Sequence, residues 1–365
     1  MPVPIRVAVD YRPAVLGSSG IGRSVRELAR FLAADPQLDL RLFAHSLAPA
    51  GRRVTVPAGA RLHRWPVPGR CLGALASLGI DAPRLAGGAT VFHWTDYVHP
   101  PVGKLARVVL TVHDLAFARE PAWFGREQAE LLLARTRTAA GRADVVVVPT
   151  HATAADAQRW LEPRRLEVVP FGVDHAEAPV ERVATVPPVG PYGICIGTVE
   201  PRKNHARLLA AWQRLPAPRP RLVVVGRRGW ECEGTVAALE AAQREGWLEW
   251  REHASDAEVA GLLHGARVCV YPSLWEGFGF PPLEAMRAGV PVVCGTCDAL
   301  RENCSGAAVT CDVEDADALA AALHQALADD ALREHVVARG RIAAARFQWA
   351  ECARQHARIY REVCA

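Results

Sequence analysis

Short runs of consecutive apolar residues recur along the chain, and stretches with a helical spacing of apolar residues lie between them. Continuous apolar runs, rather than alternating ones, are typical of strands buried on both faces of a parallel sheet. The pattern predicts ten strands, at residues 5–10, 38–45, 107–114, 143–150, 166–173, 192–198, 221–226, 248–254, 266–273 and 290–295.

Helices are predicted between these strands. One apolar stripe after the first strand is formed by Ile21, Val25, Leu28 and Leu32. Their spacing places them on one face of a helix. The segment from Asp329 to Ala365 is predicted to be helical, with a break near Phe347–Trp349.

Two sets of strand–helix units predict two doubly wound α/β domains. We place the N-terminal domain at residues 1–183 and the C-terminal domain at 184–345, and we expect a helix at 346–365 to pack back on the N-terminal domain. The proline-rich stretch 177–191 is predicted to be the linker. In such sheets ligands bind beyond the carboxyl ends of the strands.

Composition excludes several other classes of protein. Half of the 365 residues are apolar and 22% are charged, which is a globular balance. Lys and Arg number 43 against 39 Asp and Glu, and a net charge of +4 does not indicate a nucleic-acid binder. No run of 18 apolar residues and no signal-peptide pattern occurs, so a cytoplasmic protein with reduced, mostly buried cysteines is expected. Cys294 and Cys297 lack a second close pair, so no metal site is predicted.

Candidate ligand-binding residues are most concentrated in residues 272–293, PSLWEGFGFPPLEAMRAGVPVV. A loop follows the strand, Pro281 and Pro282 suit a first helical turn, and Gly289 ends the helix. Glycines let the backbone approach a ligand closely, and a helix N-terminus favours an anion. Glu276 and Glu284 could hold two ends of one extended ligand. Alternatively, one caps a turn and the other complements the helix dipole.

This segment resembles the E-x7-E motif of retaining, nucleotide-sugar-dependent glycosyltransferases of the GT-B fold, family 4. Residues 196–212 (IGTVEPRKNHARLLAAW) resemble the donor-phosphate loop of that family. Residues 107–124 (RVVLTVHDLAFAREPAWF) resemble the HDL segment of its mannosyltransferase-like branch. The motifs FHWTDYVHPP, VPFGVD and VVVGRRGW also occur in the expected order. The resemblance implies two Rossmann-like domains facing each other across a cleft, with the acceptor on the N-terminal side and the donor on the C-terminal side.

The resemblance also implies roles for the residues of the E-x7-E segment. Glu276 corresponds to the glutamate that contacts the transferred sugar close to the reacting centre. Glu284 corresponds to the glutamate that accepts hydrogen bonds from the ribose hydroxyls, a task that suits a carboxylate. The backbone of the intervening loop faces the sugar and the diphosphate in the family. That loop is formed here by Gly277, Phe278 and Gly279.

Two cations follow a predicted strand end, at Arg202 and Lys203. Lys203 matches the family lysine on the diphosphate, where a compact cation stabilises the leaving group. Many relatives carry another basic residue where this chain has Gly197 and Thr198, and Arg202 could substitute for it. An exposed helix start is the alternative for the Arg–Lys pair.

Three residues of the first half complete the predicted site. His113 ends a strand and, by resemblance, reaches the donor sugar; the alternative is a hydrogen-bonded histidine at a strand end. Gly20 and Gly22 open the first long helix, and the family uses this loop at the diphosphate and the acceptor. Their spacing is not the dinucleotide fingerprint G-x-G-x-x-G. His113, Glu276 and Lys203 are therefore predicted to be catalytic and the others to bind the donor.

The resemblance implies transfer of a sugar, of mannose or deoxymannose type and GDP-linked, to a hydroxyl of a glycan or lipid-linked acceptor in surface polysaccharide biosynthesis. The anomeric configuration would be retained, and no cofactor or metal is expected because the nucleotide sugar is a substrate. Alternatives are a nucleotide-sugar epimerase and a non-catalytic sugar-nucleotide-binding subunit.

Contact with the inner face of the cytoplasmic membrane is a further expectation. Arg61, Arg64, Trp65 and Arg70 precede an apolar stretch within residues 61–80. Such residues beside an apolar helix could touch lipid headgroups. The alternative is a core helix with a solvated basic edge.

Overall fold

The computed structural model describes residues 3–17, 20–47, 54–177 and 190–365. The chain divides into two compact units. Unit 1 comprises Met1–Ala118, Glu127–Gly172 and Gln348–Ala365, and unit 2 comprises Arg119–Arg126 and Val173–Phe347. Most of the predicted linker, and the predicted boundary at 183–184, lies outside the described residues.

Each unit is built on one parallel sheet. Unit 1 contains β1 Ile5–Asp10, β2 Leu38–His45, β3 Arg61–Trp65, β4 Val91–Trp94, β5 Arg107–Thr111, β6 Val145–Val148 and β7 Leu166–Val168. Unit 2 contains β8 Tyr192–Ile196, β9 Arg221–Val225, β10 Leu248–Arg251, β11 Val268–Tyr271, β12 Val292–Cys294 and β13 Val309–Thr310. The strand orders are β3-β2-β1-β4-β5-β6-β7 and β10-β9-β8-β11-β12-β13.

Helices connect the strands. They are α1 Arg12–Leu16, α2 Gly20–Leu32, α3 Gly69–Ser77, α4 Ala82–Leu85, α5 Ala116–Arg119, α6 Arg126–Arg142, α7 His151–Leu161, α8 His205–Gln213, α9 Glu233–Arg244, α10 Asp256–His264, α11 Phe280–Arg287, α12 Asp298–Cys304, α13 Ala316–Ala328, α14 Asp330–Ala345 and α15 Trp349–Cys364. Single 3-10 turns occur at Pro121–Trp123, Asp174–Glu177 and Pro201–Lys203.

The predicted doubly wound architecture is confirmed in both units. In each sheet the connections run outward in opposite directions from a switch point, between β1 and β4 in unit 1 and between β8 and β11 in unit 2. All ten predicted strands occur, and so do α2 and the C-terminal helices with their break. Ligands of such sheets bind at the carboxyl edge of the switch point.

Three strands were not predicted, for different reasons. β3 is a partly exposed edge strand that carries arginine and histidine, so it lacks an apolar run. β13 has only two residues, and the short run of β4, VFHW, is interrupted by a histidine. In the segment 61–80, for which membrane contact is predicted, Arg61, Arg64 and Trp65 lie on β3 and Arg70 lies on α3.

The last helix, α15, packs within unit 1 against α2, β1, β4 and β5. The imidazole of His93 joins it to the sheet: Nδ1 lies 2.7 Å from the Tyr360 hydroxyl and Nε2 lies 2.7 Å from the Thr111 hydroxyl. His93, Tyr360 and the nearby His356 are all fully buried. Burial lowers the pKa of His93 well below its usual range, and burial lowers the pKa of His356 to about 4.

These buried histidines predict acid sensitivity. Below pH 6.5 an unfolded chain binds protons that the neutral native imidazoles do not, so native stability decreases as the pH falls from 7 towards 4. One histidine with a native pKa of about 4 lowers the free energy of unfolding by about 2 kcal/mol between pH 7 and pH 5. His356→Leu should flatten the pH dependence of the free energy of unfolding by that amount, as measured by urea titration. An unchanged slope would contradict the assignment.

Candidate functional site

The predicted donor-side residues of unit 2 lie at the carboxyl edge of its switch point. Glu276 lies on the loop after β11, and Lys203 lies on the 3-10 turn that follows β8. The two loops are joined by a hydrogen bond of 2.9 Å from the Leu274 amide to the Arg202 carbonyl. Residues 73 positions apart in sequence are thereby brought into direct contact.

Glu276 is the centre of a buried polar network. Lys203 Nζ lies 2.5 Å from Glu276 Oε1, and Arg202 Nη1 lies 3.2 Å from Oε2. The hydroxyls of Ser273 and Tyr271 donate to Oε1 at 2.5 and 2.9 Å. The Glu276 side chain is only 8% exposed, so these groups replace water around the carboxylate.

This network fixes the charge of Glu276. Burial raises the pKa of the carboxyl, but Lys203 and Arg202 outweigh burial and hold the pKa at about 2. Burial also raises the pKa of the Tyr271 phenol, so it stays protonated and donates. Glu276 is therefore an anion that already accepts from several donors.

Arg202 and the start of α8 are held by further contacts. Arg202 Nη2 lies 2.8 Å from Glu200 Oε1, and Nη1 donates to the Trp275 carbonyl at 2.8 Å. Asn204 ends the turn with a φ of 57° and donates from Nδ2 to the Val313 carbonyl at 2.7 Å. Arg202 thus fastens one loop to the other, and the exposed-helix alternative for the Arg–Lys pair is wrong.

The loop of Gly277, Phe278 and Gly279 is anchored by the aromatic side chain. The Phe278 ring packs edge-on against Phe280 and Phe347, with centroids 5.0 and 5.4 Å apart. Its carbonyl accepts from Asn303 Nδ2 at 2.7 Å. The Phe278 ring is buried, so this side chain fixes the loop within unit 2.

Glu284 lies on α11 and is buried. Its Oε1 lies 2.9 Å from Nε2 of His175, on the 3-10 turn Asp174–Glu177. The carboxylate therefore has an imidazole partner that the motifs do not predict, although His175 directly follows the VPFGVD motif. The two glutamates of E-x7-E lie in different networks.

A segment from the first half of the sequence also contacts the Glu276 loop. Residues Arg119–Arg126 belong to unit 2. The Arg119 guanidinium lies 3.8 Å from the centroid of the Trp275 ring, and Trp230 Nε1 donates to the Trp123 carbonyl at 2.6 Å. Cations over an indole face are stabilised by its quadrupole. The HDL…EPAWF segment thus supports the residue directly before Glu276.

In unit 1, His113 follows β5. Its Nε2 lies 2.8 Å from the Thr95 carbonyl, which only accepts, so Nε2 carries the proton. Burial lowers the pKa of His113, so the imidazole is neutral and Nδ1 is an acceptor. The Phe171 ring stacks on it with centroids 5.5 Å apart. Asp114 Oδ1 accepts from the Ala116 amide, which shows that Asp114 caps α5.

Gly20 and Gly22 lie in the first turn of α2. A Cβ on Gly22 would lie 2.6 Å from the Gly17 carbonyl oxygen and 2.7 Å from that of Pro13. Gly22 is therefore explained by the close packing of α1 and α2. Gly20 is exposed, and Ser18 and Ser19 before it lie outside the described residues.

A groove of about 800 Å³ occurs elsewhere on unit 2. Pro191 and Arg267 in its wall precede β8 and β11, and Arg221 begins β9. The groove thus lies at the amino edge of the sheet, opposite Glu276. Its position excludes it as the site predicted here.

Comparisons with known proteins identify the family and the fold. The family profile described as "Glycosyl transferases group 1" matches residues 184–343, and "Glycosyl transferase 4-like domain" matches residues 19–172. O-antigen chain mannosyltransferase B of Escherichia coli is 42% identical over 173 residues, which are 47% of this chain and 45% of that protein. Phosphatidyl-myo-inositol mannosyltransferase of Mycolicibacterium smegmatis is 36% identical over 219 residues, or 57% and 55% of the two chains.

The matched segments span about half the length of these two relatives. A sucrose-phosphate synthase from Thermosynechococcus elongatus superposes with a TM-score of 0.79 at 20% identity, over 98% of this chain and 99% of its own. Fold and profiles together define a glycosyltransferase with the GT-B fold. The two profiles and these relatives support a GT-B glycosyltransferase of family 4, as the sequence motifs predict.

Gly279 gives a test of the loop geometry. Its φ is +88°, and a Cβ would lie 2.7 Å from Leu300 Cδ2. Gly279→Ala should lower the free energy of unfolding by about 2 kcal/mol, since both strain and a clash are introduced. Gly234→Ala is the matched control: it lies in α9 with open space around it, and alanine there should stabilise by about 0.5 kcal/mol. Equal effects in urea unfolding would contradict the described loop.

Proposed function

We propose that the chain transfers a mannose-type sugar from a GDP-linked donor to a hydroxyl of a glycan or lipid-linked acceptor, with retention of the anomeric configuration, in surface polysaccharide biosynthesis. Family membership and the mannosyltransferases among its relatives support the sugar. The observation that carries the proposal is the buried contact between Glu276, Lys203 and Arg202.

In the proposed reaction the bond between the anomeric carbon and the diphosphate oxygen breaks, and the electron pair goes to the diphosphate. Lys203 and Arg202 stabilise the charge that develops there, as preorganised cations in a water-poor site do. The acceptor oxygen attacks from the same face, and its proton goes to the leaving phosphate oxygen. Catalysis then consists mainly of positioning and charge stabilisation.

The state of Glu276 supports this path over a covalent intermediate. Double displacement needs a carboxylate nucleophile at the anomeric carbon. Glu276 has its charge shared among two cations and two hydroxyls, which makes it a poor nucleophile. It is suited instead to orienting the transferred sugar and to holding Lys203 in place.

Glu284 is proposed to bind the ribose. Its carboxylate can accept two hydroxyl hydrogen bonds, and His175 Nε2 orients Oε1. His113 is proposed to reach the sugar through Nδ1, since Nε2 is occupied by Thr95.

Substitutions at the two glutamates should have different effects. Glu284→Ala should weaken GDP binding at least tenfold, because hydrogen bonds to a charged group are lost. Glu276→Ala should mostly lower kcat in a GDP-mannose transfer assay. The exposed Glu314 provides a control substitution, Glu314→Ala, which should change neither quantity. Unchanged turnover in both site variants would refute the assignment.

A thermal-shift screen with GDP, UDP, GDP-mannose and NAD tests the activity class. Stabilisation by GDP and GDP-mannose supports the proposal. A response to UDP alone would indicate a UDP-linked donor in place of a GDP-linked one. A response to NAD without any response to nucleotide sugars would overturn the proposed glycosyltransferase activity.

Peripheral contact with the inner face of the cytoplasmic membrane is also proposed. Within the described residues, no helix is both long and apolar enough to span a bilayer. The support is three exposed apolar side chains that flank α3 in the sequence: Leu78 is 77%, Ile80 40% and Trp65 40% exposed. Leu78→Ser with Ile80→Ser should at least halve sedimentation with phosphatidylglycerol vesicles, and equal sedimentation of the wild type would argue against the contact.

A further inference from the structure

Unit 1 contains a cluster of buried polar atoms that the proposed reaction does not use. It lies where β1 and β4 end, which is the switch point of the seven-stranded sheet. Asp10 is the last residue of β1, and Asp96 follows β4 by two positions. The parallel pairing of Val9 with His93 brings these two ends side by side.

An ion pair forms the middle of this cluster. The Arg12 guanidinium contacts the Asp96 carboxylate, and both side chains are 13% exposed. Asp96 Oδ1 also accepts from the Val98 amide at 2.8 Å. A partly buried pair of this kind is a rigid, partly accessible polar surface.

Several polar atoms around this pair have no hydrogen-bond partner among the residues that the structure describes. They are Asp10 Oδ2, Arg12 Nε, His45 Nδ1 and His99 Nε2. Asp10 is 0% and His45 is 5% exposed. Leaving a buried polar atom without a hydrogen-bond partner is unfavourable, so four such atoms at one sheet edge indicate a group that binds there.

Two of these atoms have complementary hydrogen-bonding character. Burial, with Asp96 nearby, raises the pKa of Asp10 to about 8. Oδ1 accepts from the Arg12 amide at 3.1 Å, so the proton belongs on Oδ2, which donates. Burial lowers the pKa of His99 to about 4, and its hydrogen bond to the Asp96 backbone uses the other nitrogen, so Nε2 accepts.

A hydroxyl both donates and accepts, and a pair of neighbouring sugar hydroxyls satisfies a mixed set of donors and acceptors. We propose that Asp10, Arg12, Asp96 and His99 form a subsite that binds the vicinal hydroxyls of the glycan acceptor. The identification of the bound diol as part of the acceptor rests on the proposed function. The binding of a diol at this cluster does not depend on that function. Sugar hydroxyls of the donor have the same chemistry, so the experiment separates the two sources.

The test uses the full chain and NMR titration with methyl α-mannoside, methyl α-glucoside and methyl α-galactoside. The wild type should bind at least one of them. His99→Leu, which leaves the Arg12–Asp96 ion pair intact, should raise the Kd of that glycoside at least tenfold. Asp96→Asn should do the same. His264→Leu, the same change at an exposed histidine of α10, should leave Kd unchanged.

Each outcome decides the proposal. Equal affinity in His99→Leu and wild type, with melting temperatures unchanged, overturns it. An equal loss of GDP-mannose affinity assigns the cluster to the donor and also overturns it. A wild type that binds none of the glycosides shows that water alone satisfies these atoms. Glycoside binding that His99→Leu abolishes, in a protein that turns over no nucleotide sugar, supports the diol subsite and refutes only the transferase function.

Discussion

A carboxylate at Glu276 is tolerated in the interior because Lys203 and Arg202 lie beside it. Removing two charges from water costs several kcal/mol each, and only close pairing with full hydrogen bonding offsets that cost. The loops after β8 and β11 are consequently bound to each other, through this pair and through the Leu274–Arg202 backbone bond. Tyr271 and Ser273 complete the solvation of the carboxylate. The shape of the unit 2 site follows from this one requirement.

The same requirement connects ligand binding to loop geometry. In the proposed reaction, a diphosphate at Lys203 competes with Glu276 for the ammonium group, because one compact cation cannot be closest to both anions. Arg202 is anchored by Glu200 and by the Trp275 carbonyl, so it stays beside Glu276 and helps to keep the carboxylate ionised. Two adjacent cations can thus perform different tasks, which a sequence motif alone does not distinguish.

The parallel sheets could be predicted from the sequence because strands covered on both faces have to be continuously apolar. β3 could not be, since an edge strand needs no apolar run, and β13 is too short for any pattern. Lys203 and Glu276 were each predicted from the loop that carries them. Their direct contact arises only from tertiary folding, so no local pattern in the sequence indicates it. Tyr271 and His175 were missed for the same reason: one belongs to an apolar strand in the sequence, and the other touches Glu284 only through folding. Gly22 was chosen for a ligand and is explained by helix packing.

The docking of α15 has a consequence for synthesis on the ribosome. Residues Gln348–Ala365 belong to unit 1, and the buried Tyr360 hydroxyl contacts His93 on β4. Domains usually fold in the order in which they emerge. Unit 2 can close as soon as Phe347 has left the exit tunnel, whereas unit 1, although begun first, keeps an apolar face uncovered until the later segment is made. During translation the first-made unit is therefore the last to be completed and the one that chaperones have most time to bind.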